Sequence, residues 1–326
     1  MAKYGGPAFS VLLVDGYNLA SSLTEAATIN IESVTQQTNP FGATSEENSP
    51  VGITKGVLSA GNGFFDAATD ALHSAIGSVT GISRTVCAAV FGNTIGKPFF
   101  GFEGAYSQKY EIQDSRDGLT KANVTYLVSG AVDEGVIVQD HATFTANWDT
   151  KTGGANAADA PVDYTVDPKQ RLHEITSNSI ANPSVVTCPK AHGLTTGDKV
   201  LISGVASSSP TINGTQTVTV ISSTTFSVPV NVTVGGTGGS FVKVDSSAGG
   251  VGYLQCSAFS GFTGVLMKIM HSPDDITYAA LITFTSLTAL GKERKTVTGT
   301  VDRYLSSNGT VTGSGSVTVF TGFSRN

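Results

Sequence analysis

Short runs of Val, Ile, Thr and Phe, each cut off after a few residues by Gly, Asn, Asp or Pro, recur along this chain and confine it to β structure over most of its length. The pattern is densest from His173 to Val244, in HEITSNSIANPSVVTCPKAHGLTTGDKVLISGV and then NGTQTVTVISSTTFSVPVNVTVGGTGGSFVKV. Runs this short, punctuated by turn-forming residues, mark strands joined by tight turns and not a helix or a disordered linker. Because the flanking segments are β-rich but differ in composition, residues 173–244 are expected to form a small β module. The host into which it is inserted would consist of residues 1–172 and 245–326. Charged residues make up 13% of the chain, against about a quarter in ordinary globular domains. Ser, Thr, Gly and Val take their place, a mixture poor in helix formers. The expected class is all-β.

With 326 residues, the chain can bury a sizeable core without disulfide staples. A net charge of −6 argues against a surface that grips DNA or anionic membrane, which needs clustered Lys and Arg. It leaves open a negative channel wall that DNA passes without sticking. Cys87, Cys188 and Cys256 are too few and too scattered for a disulfide framework, and none has metal-ligand spacing. They are expected to be buried as small apolar side chains. The stretch MAKYGGPAFSVLLVDGYNL has no long apolar run, and Asp15 interrupts the short one it has. No secretory signal or bilayer-spanning segment is evident, so folding in the cytoplasm of the producing cell is expected. The Asn-x-Thr triplets at Asn123, Asn213, Asn231 and Asn308 are chance matches in a Thr-rich chain.

Along the host, AFSVLLVDGYNL and TINIESVTQQT alternate as strands. The stretch from about Thr38 to Lys55, with two prolines, several glycines and a run of acids, reads as a long loop. Loops of that length are usually functional or ordered by a partner. FFDAATDALHSAIGS places Phe65, Ala68, Leu72, Ala75 and Ile76 on one face of a helix. Asn62 or Gly63 would start it and Gly77 would end it. Strands resume from Thr80 in TVCAAVFG, KYEIQDS, KANVTYLVSG and HATFTANWDT, and TKTGGANAADAPVDYTVDPKQ reads as a linker or long turn into the module. Beyond the module, two strands surround a turn at Asp274 and Asp275. RKTVTGTVDRYLSS and GSGSVTVFTGFSRN then read as a further hairpin.

Chemistry-bearing residues are sparse. Glu134, Asp140 and His141 invite an acid–base reading, but neighbours on a strand point to opposite faces, so strand and turn polar roles are expected. His73 has no second ligand spaced to join it. In HGLTTGDKVLISG, Gly193 and Gly197 supply turn conformations, Asp198 bonds turn backbone, and His192 anchors the turn. VGGTGGSF is glycine-rich but lacks the Lys-Ser/Thr ending of a phosphate loop, and reads as a hairpin turn. A carbohydrate-active β enzyme would require two carboxylates about 5–10 Å apart in a groove, and no diagnostic pairing marks one. No catalytic, cofactor-binding or metal-ligating residue is assigned, and the protein is not expected to be an enzyme.

SPDDITYAALITFTS, KTVTGTVDRYL and GSVTVFTGFSR resemble the C-terminal half of bacteriophage major tail proteins, the subunits of the tail tube. The matching parts are the acidic turn before an aromatic, the strand around Gly299, Arg303 and Tyr304, and the aromatic-rich closing strand. HGLTTGDKVLISG through TTFSVPV is similar to a small β module of phage tail and other virion proteins. Together these cover somewhat under half of the chain. The resemblance implies a β-sandwich with one flanking α-helix, assembled as hexameric rings that stack into a hollow conduit for DNA delivery. Edge strands would be covered by neighbouring subunits. The long loop would reach the next ring, with Thr38, Phe41, Glu46, Glu47 and Lys55 as contact residues. The module would project outward, although here it lies in mid-chain and not at the C-terminus. Implied partners are other copies of the chain, a tape measure protein, and tail terminator and tail-tip proteins. DNA would pass through the lumen without specific binding, with no membrane contact. The implied location is the phage tail of the virion. The alternative is a capsid decoration or fibre-associated protein whose module binds host-surface glycans.

Overall fold

A computed structural model describes residues 11–20, 23, 28–37, 48–64, 73, 81–114, 118, 120–149, 161–169, 171–244 and 246–326. The host strands before the module are β1 (Val11–Val14), β2 (Tyr17–Asn18), β3 (Thr28–Gln37), β4 (Asn48–Phe64), β5 (Ser83–Ala89), β6 (Pro98–Gln113), β7 (Lys121–Phe144), β8 (Trp148–Asp149) and β9 (Val162–Asp163). The module contributes β10 (His173–Glu174), β11 (Ser177–Asn178), β12 (Ser184–Thr187), β13 (Lys199–Ser203), β14 (Gly214–Thr217), β15 (Thr219–Val220), β16 (Thr225–Val228) and β17 (Ser240–Lys243). The host resumes with β18 (Ser246–Ser272), β19 (Ala279–Thr283), β20 (Gly291–Asp302) and β21 (Tyr304–Arg325). The all-β expectation holds. The helix expected around residues 65–77 lies outside the described residues except for His73, whose Nδ1 sits 3.0 Å from the Tyr110 hydroxyl.

All host strands belong to one 13-stranded antiparallel sheet that is folded over on itself. Its spine is the β18–β21 pair, in register from Gly250 opposite Arg325 to Ser272 opposite Tyr304. A straight strand of 27 residues would span about 90 Å at 3.3–3.4 Å per residue, yet the two ends of β18 meet. Asp302 pairs with Ser246 at its start, and the Asp302 amide donates to His271 Nδ1 near its end, at 3.2 Å. Register shifts between Cys256 and Gly264 bend the ribbon. Gly261 (φ +77°) and Gly313 (φ +92°) take left-handed backbone at the fold, a conformation that side chains resist. Bending brings Leu254, Val317, Val319 and Phe323 against Val265, Met267, Ile269 and Leu305 in one core. At Gly252 a Cβ would stand 2.7 Å from Ile282 Cδ1 on the opposite layer, so a larger residue there would push the Ile282 side chain aside.

A second core lies between β1, β5, β6, β7 and β4, built from Leu12, Val14, Val86, Phe102, Val124 and Tyr126. The alternate residues Val11, Leu13, Cys87 and Ala89 face the other way, onto Phe99, Tyr253 and Phe320. This explains why VLLV is apolar at every position: β1 is covered on both faces. The rolled sheet is clasped where β1 and β5 come close to β18 and β20. The Gly16 amide donates to Gln255 Oε1 (2.7 Å) and Gln255 Nε2 donates to the Thr85 carbonyl (3.1 Å). Lys292 pairs with Asp15, and Arg294 Nη2 lies 3.1 Å from Asp133 Oδ2. The Tyr253 hydroxyl donates to the same Asp133 oxygen at 2.5 Å.

Three expectations need correction. The segment from Thr38 to Lys55 is not loop throughout, because residues 48–55 are the first part of β4, paired with β3. Among the described residues that part of β4 pairs with β3 alone, and proline fits a strand with one open side. The stretches from RKTVTG and GSGSVT are not a hairpin. β20 and β21 lie on opposite sides of the first half of β18, and the chain crosses between them at Arg303. VGGTGGSF is not a hairpin turn either, since β16 and β17 lie in different sheets. Its backbone is pinned between other segments: the Gly236 amide donates to Asn178 Oδ1 (2.9 Å), and Thr237 bridges Ala206. A Cβ on Gly236 would stand 2.6 Å from the Ala206 carbonyl, which accounts for the glycines.

Residues 173–243 pair only among themselves, as two four-stranded sheets in the orders β10-β17-β13-β14 and β11-β12-β16-β15. Ile175, Val186, Val200, Ile202, Phe226 and Phe241 fill a core between them. The HGLTTGD turn is built as its residues suggest. His192 Nδ1 accepts from the Leu194 amide (3.0 Å), Nε2 meets the Ser222 carbonyl (2.9 Å), and Gly193 and Gly197 have φ of +67° and +100°. The Asp198 carboxylate accepts from the Thr195 amide (2.9 Å), the Thr195 hydroxyl (3.0 Å) and Lys243 Nζ (2.9 Å). Burial works to raise the pKa of Asp198, but these donors outweigh it and hold the carboxyl below its ordinary value. Stability from a depressed carboxyl is present above its unfolded pKa and lost as pH falls through the folded one. Asp198→Ala should therefore cost the module about 1–3 kcal/mol at pH 7. The gap between variant and parent should narrow as pH falls below the ordinary carboxyl value of 3.8 and through the lower folded one. Calorimetry across pH checks both.

Candidate assembly surface

Where β5 ends its pairing with β6, at Ser83 opposite Tyr106, the remaining strands continue outward as a narrower sheet in the order β6, β7, β4, β3. Gly56–Phe64 of β4 pairs with Lys121–Val128 of β7, and Thr28–Gln37 of β3 pairs with β4. One face is held by Leu58, Ala122, Val124 and Tyr126 in the second core. Among the described residues β3 pairs with β4 alone, so its outer edge carries a row of backbone donors and acceptors with no strand beside it. Exposed edges of this kind are normally blunted by charge. β20 follows that rule with Lys292, Glu293, Arg294 and Lys295 in succession, whereas TINIESVTQQ carries Glu32 as its one charge.

Beside this edge runs an open groove of about 570 Å³ lined by Thr28, Ile29, Asn30, Ile31, Val90 and Phe100. Ile31 is 47% exposed. A sparsely charged edge next to a groove of mixed polar and apolar lining is suited to accept another strand, with backbone hydrogen bonds giving affinity and the groove receiving side chains.

Of the expected contact residues, Thr38, Phe41, Glu46 and Glu47 lie outside the described residues. Lys55 is exposed on β4, in register opposite Glu32. The groove residues Ile29, Ile31, Val90 and Phe100 were not anticipated. Near-absence of charge along β3 was the one local signal, and it does not reveal which distant residues lie beside it.

Glu134, Asp140 and His141 do not form an acid–base centre. His141 Nε2 meets Ser257 Oγ at 2.6 Å and its amide donates to Asn93 Oδ1, while Asp140 accepts from Gln139 Nε2 at 2.7 Å. Burial raises the Asp140 carboxyl and lowers the His141 imidazole, so it disfavours the charged form of each. The Glu134 carbonyl accepts from Ser324 Oγ. Asp274 accepts from the Ile276 and Thr277 amides, the expected turn role. Cys87, Cys188 and Cys256 are free and buried, and burial pushes the latter two thiols up to about 11. Among the described residues no group of three or more His, Cys, Asp or Glu converges to hold a metal ion. No helix there is long and apolar enough to cross a membrane.

These features define an all-β protein with a folded-over host sheet, a β module with its own core, and a sparsely charged β3 edge that has no strand beside it among the described residues. No family model matches the chain, and no curated protein matches it. Among solved structures it is similar to the Dit (gp 19.1) protein of SPP1, described as a paradigm of the hub adsorption apparatus in phages infecting Gram-positive bacteria. The two are 9% identical over 96% of this chain and 98% of that one, with a TM-score of 0.27, below the level that defines a shared fold.

Proposed function

We propose that this chain is a structural virion protein, the tube subunit of a phage tail, with no enzymatic activity. The observation that carries the proposal is the β3 edge, which has no strand beside it among the described residues, together with the groove next to it, a surface that a second copy of the chain would cover. Contact between this edge and a different patch on the neighbour is heterologous, and such contacts close into rings or run on as filaments. The sequence resemblance supplies the rest of the reading: hexameric rings, stacking into a hollow tube, and DNA passing through the lumen. Residues 173–244 would form an outward-facing decoration. Tape measure, terminator and tail-tip proteins would be the other partners.

Negative-stain electron microscopy and sedimentation of the purified protein at rising concentration test this reading. Rings or hollow tubes are the expected result. Stable trimers or isolated knobs would replace it with the capsid decoration or fibre-associated reading.

A further inference from the structure

The segments that lead into and out of the module reach the same buried arginine. Arg325, 2% exposed, donates through Nη1 to Ser247 Oγ (3.2 Å) on the outgoing side and to the Val301 carbonyl (2.9 Å). Through Nη2 it donates to the carbonyls of Asp302 (2.6 Å) and Arg303 (3.1 Å), where the chain crosses from β20 to β21. On the incoming side its guanidinium lies 4.2 Å from the centre of the Tyr164 ring, and Nε is 3.9 Å from Asp167 Oδ2. The incoming segment is tied to β21 at two further points. Lys169 Nζ donates to Ser324 Oγ (2.9 Å) and the Arg325 carbonyl (2.5 Å), and Arg303 makes a two-pronged contact with Asp163 at 2.9 and 2.7 Å. The expected linker is therefore strapped down over 163–169. A buried guanidinium is costly to desolvate and is kept only where its donors are satisfied. An apolar residue could close the sandwich edge, but only a planar fork with several donors joins three separate segments.

We propose that Arg325 is a positioning residue that fixes the orientation of the inserted module on its host by clamping both connecting segments to β21. The module has its own core and sheets, so losing the clamp frees its orientation without unfolding it. This role does not depend on the tail-tube reading, and neither can stand or fall with the other.

The test uses spin labels at Thr196→Cys in the module and Thr298→Cys in the host, both exposed, while the native cysteines are buried. Pulsed dipolar spectroscopy of the full chain should give a narrow distance distribution in the parent and one at least about twofold broader in Arg325→Met, as expected for local release of a tethered unit. Arg325→Lys keeps the charge but loses the fork, and should broaden it to an intermediate degree. Calorimetry should show both variants still folded in both units. An unchanged distribution in folded Arg325→Met would overturn the proposal. So would loss of the host's own transition in both variants, which would make Arg325 a general core residue.

Discussion

Trp148→Ala is expected to destabilise the folded-over host sheet by about 3–5 kcal/mol, the usual range for emptying a buried aromatic site, and to leave the module's melting unchanged. Trp148 is 2% exposed and stacks on Phe144 with ring centres 4.1 Å apart and planes within 10°. β8 holds it opposite Gly309 of β21. A Cβ at Gly309 would stand 2.2 Å from the indole, so the ring lies directly on the β21 backbone. The indole N–H has no hydrogen-bond partner among the described residues, so packing alone holds the ring. The protein has one tryptophan, and its fluorescence in the parent therefore reports host unfolding without interference from the module. Urea unfolding followed by circular dichroism compares variant with parent. A loss under about 1 kcal/mol would show that the site collapses around the smaller side chain.

The second large effect is on assembly. Ile31→Lys should abolish self-association at concentrations where the parent assembles, raising the threshold at least about a hundredfold, the equivalent of about 2.7 kcal/mol per contact. The substitution puts a cation on the sparsely charged edge, on the face that carries Ile29, beside a groove also lined by Val90 and Phe100. Covering that lysine with another copy would bury an unpaired charge. In the free subunit Ile31 is about half exposed, so monomer stability should move by no more than about 0.5 kcal/mol. Sedimentation velocity and electron microscopy at matched concentrations check both halves. Assembly at the parental threshold would remove β3 from the interface.

Local features were legible in the residues. The burial of the three cysteines, the HGLTTGD turn with its His192 and Asp198 bonds, and the Asp274 turn follow from chemistry acting over a few positions. So does the alternation that marks most strands. The errors concern partners far apart in sequence. RKTVTG and GSGSVT look like a hairpin because both are strands joined by a short connection. They are separated because β18 inserts between them, having folded so that its two ends meet beside Asp302. The only local hints of that fold are the glycines of SGFTG and TGSGS, which also suit an ordinary turn. VGGTGGSF failed as a hairpin turn for the same reason, since its glycines answer to Ala206 and Asn178.

Sequence alone determined the β class, because residue shape and solvent contact select strand and turn conformations locally. Composition also set 173–244 apart as an expected module; the strands of that stretch pair with one another among the described residues. Tertiary structure alone decided which strand lies beside which, where the sheet folds over, and that β3 keeps an open edge. It also decided that Arg325, in an unremarkable GFSRN, gathers three segments of chain. Pairing and burial of this kind depend on contacts between residues as much as 277 positions apart, as between Asp15 and Lys292, and no local pattern encodes them.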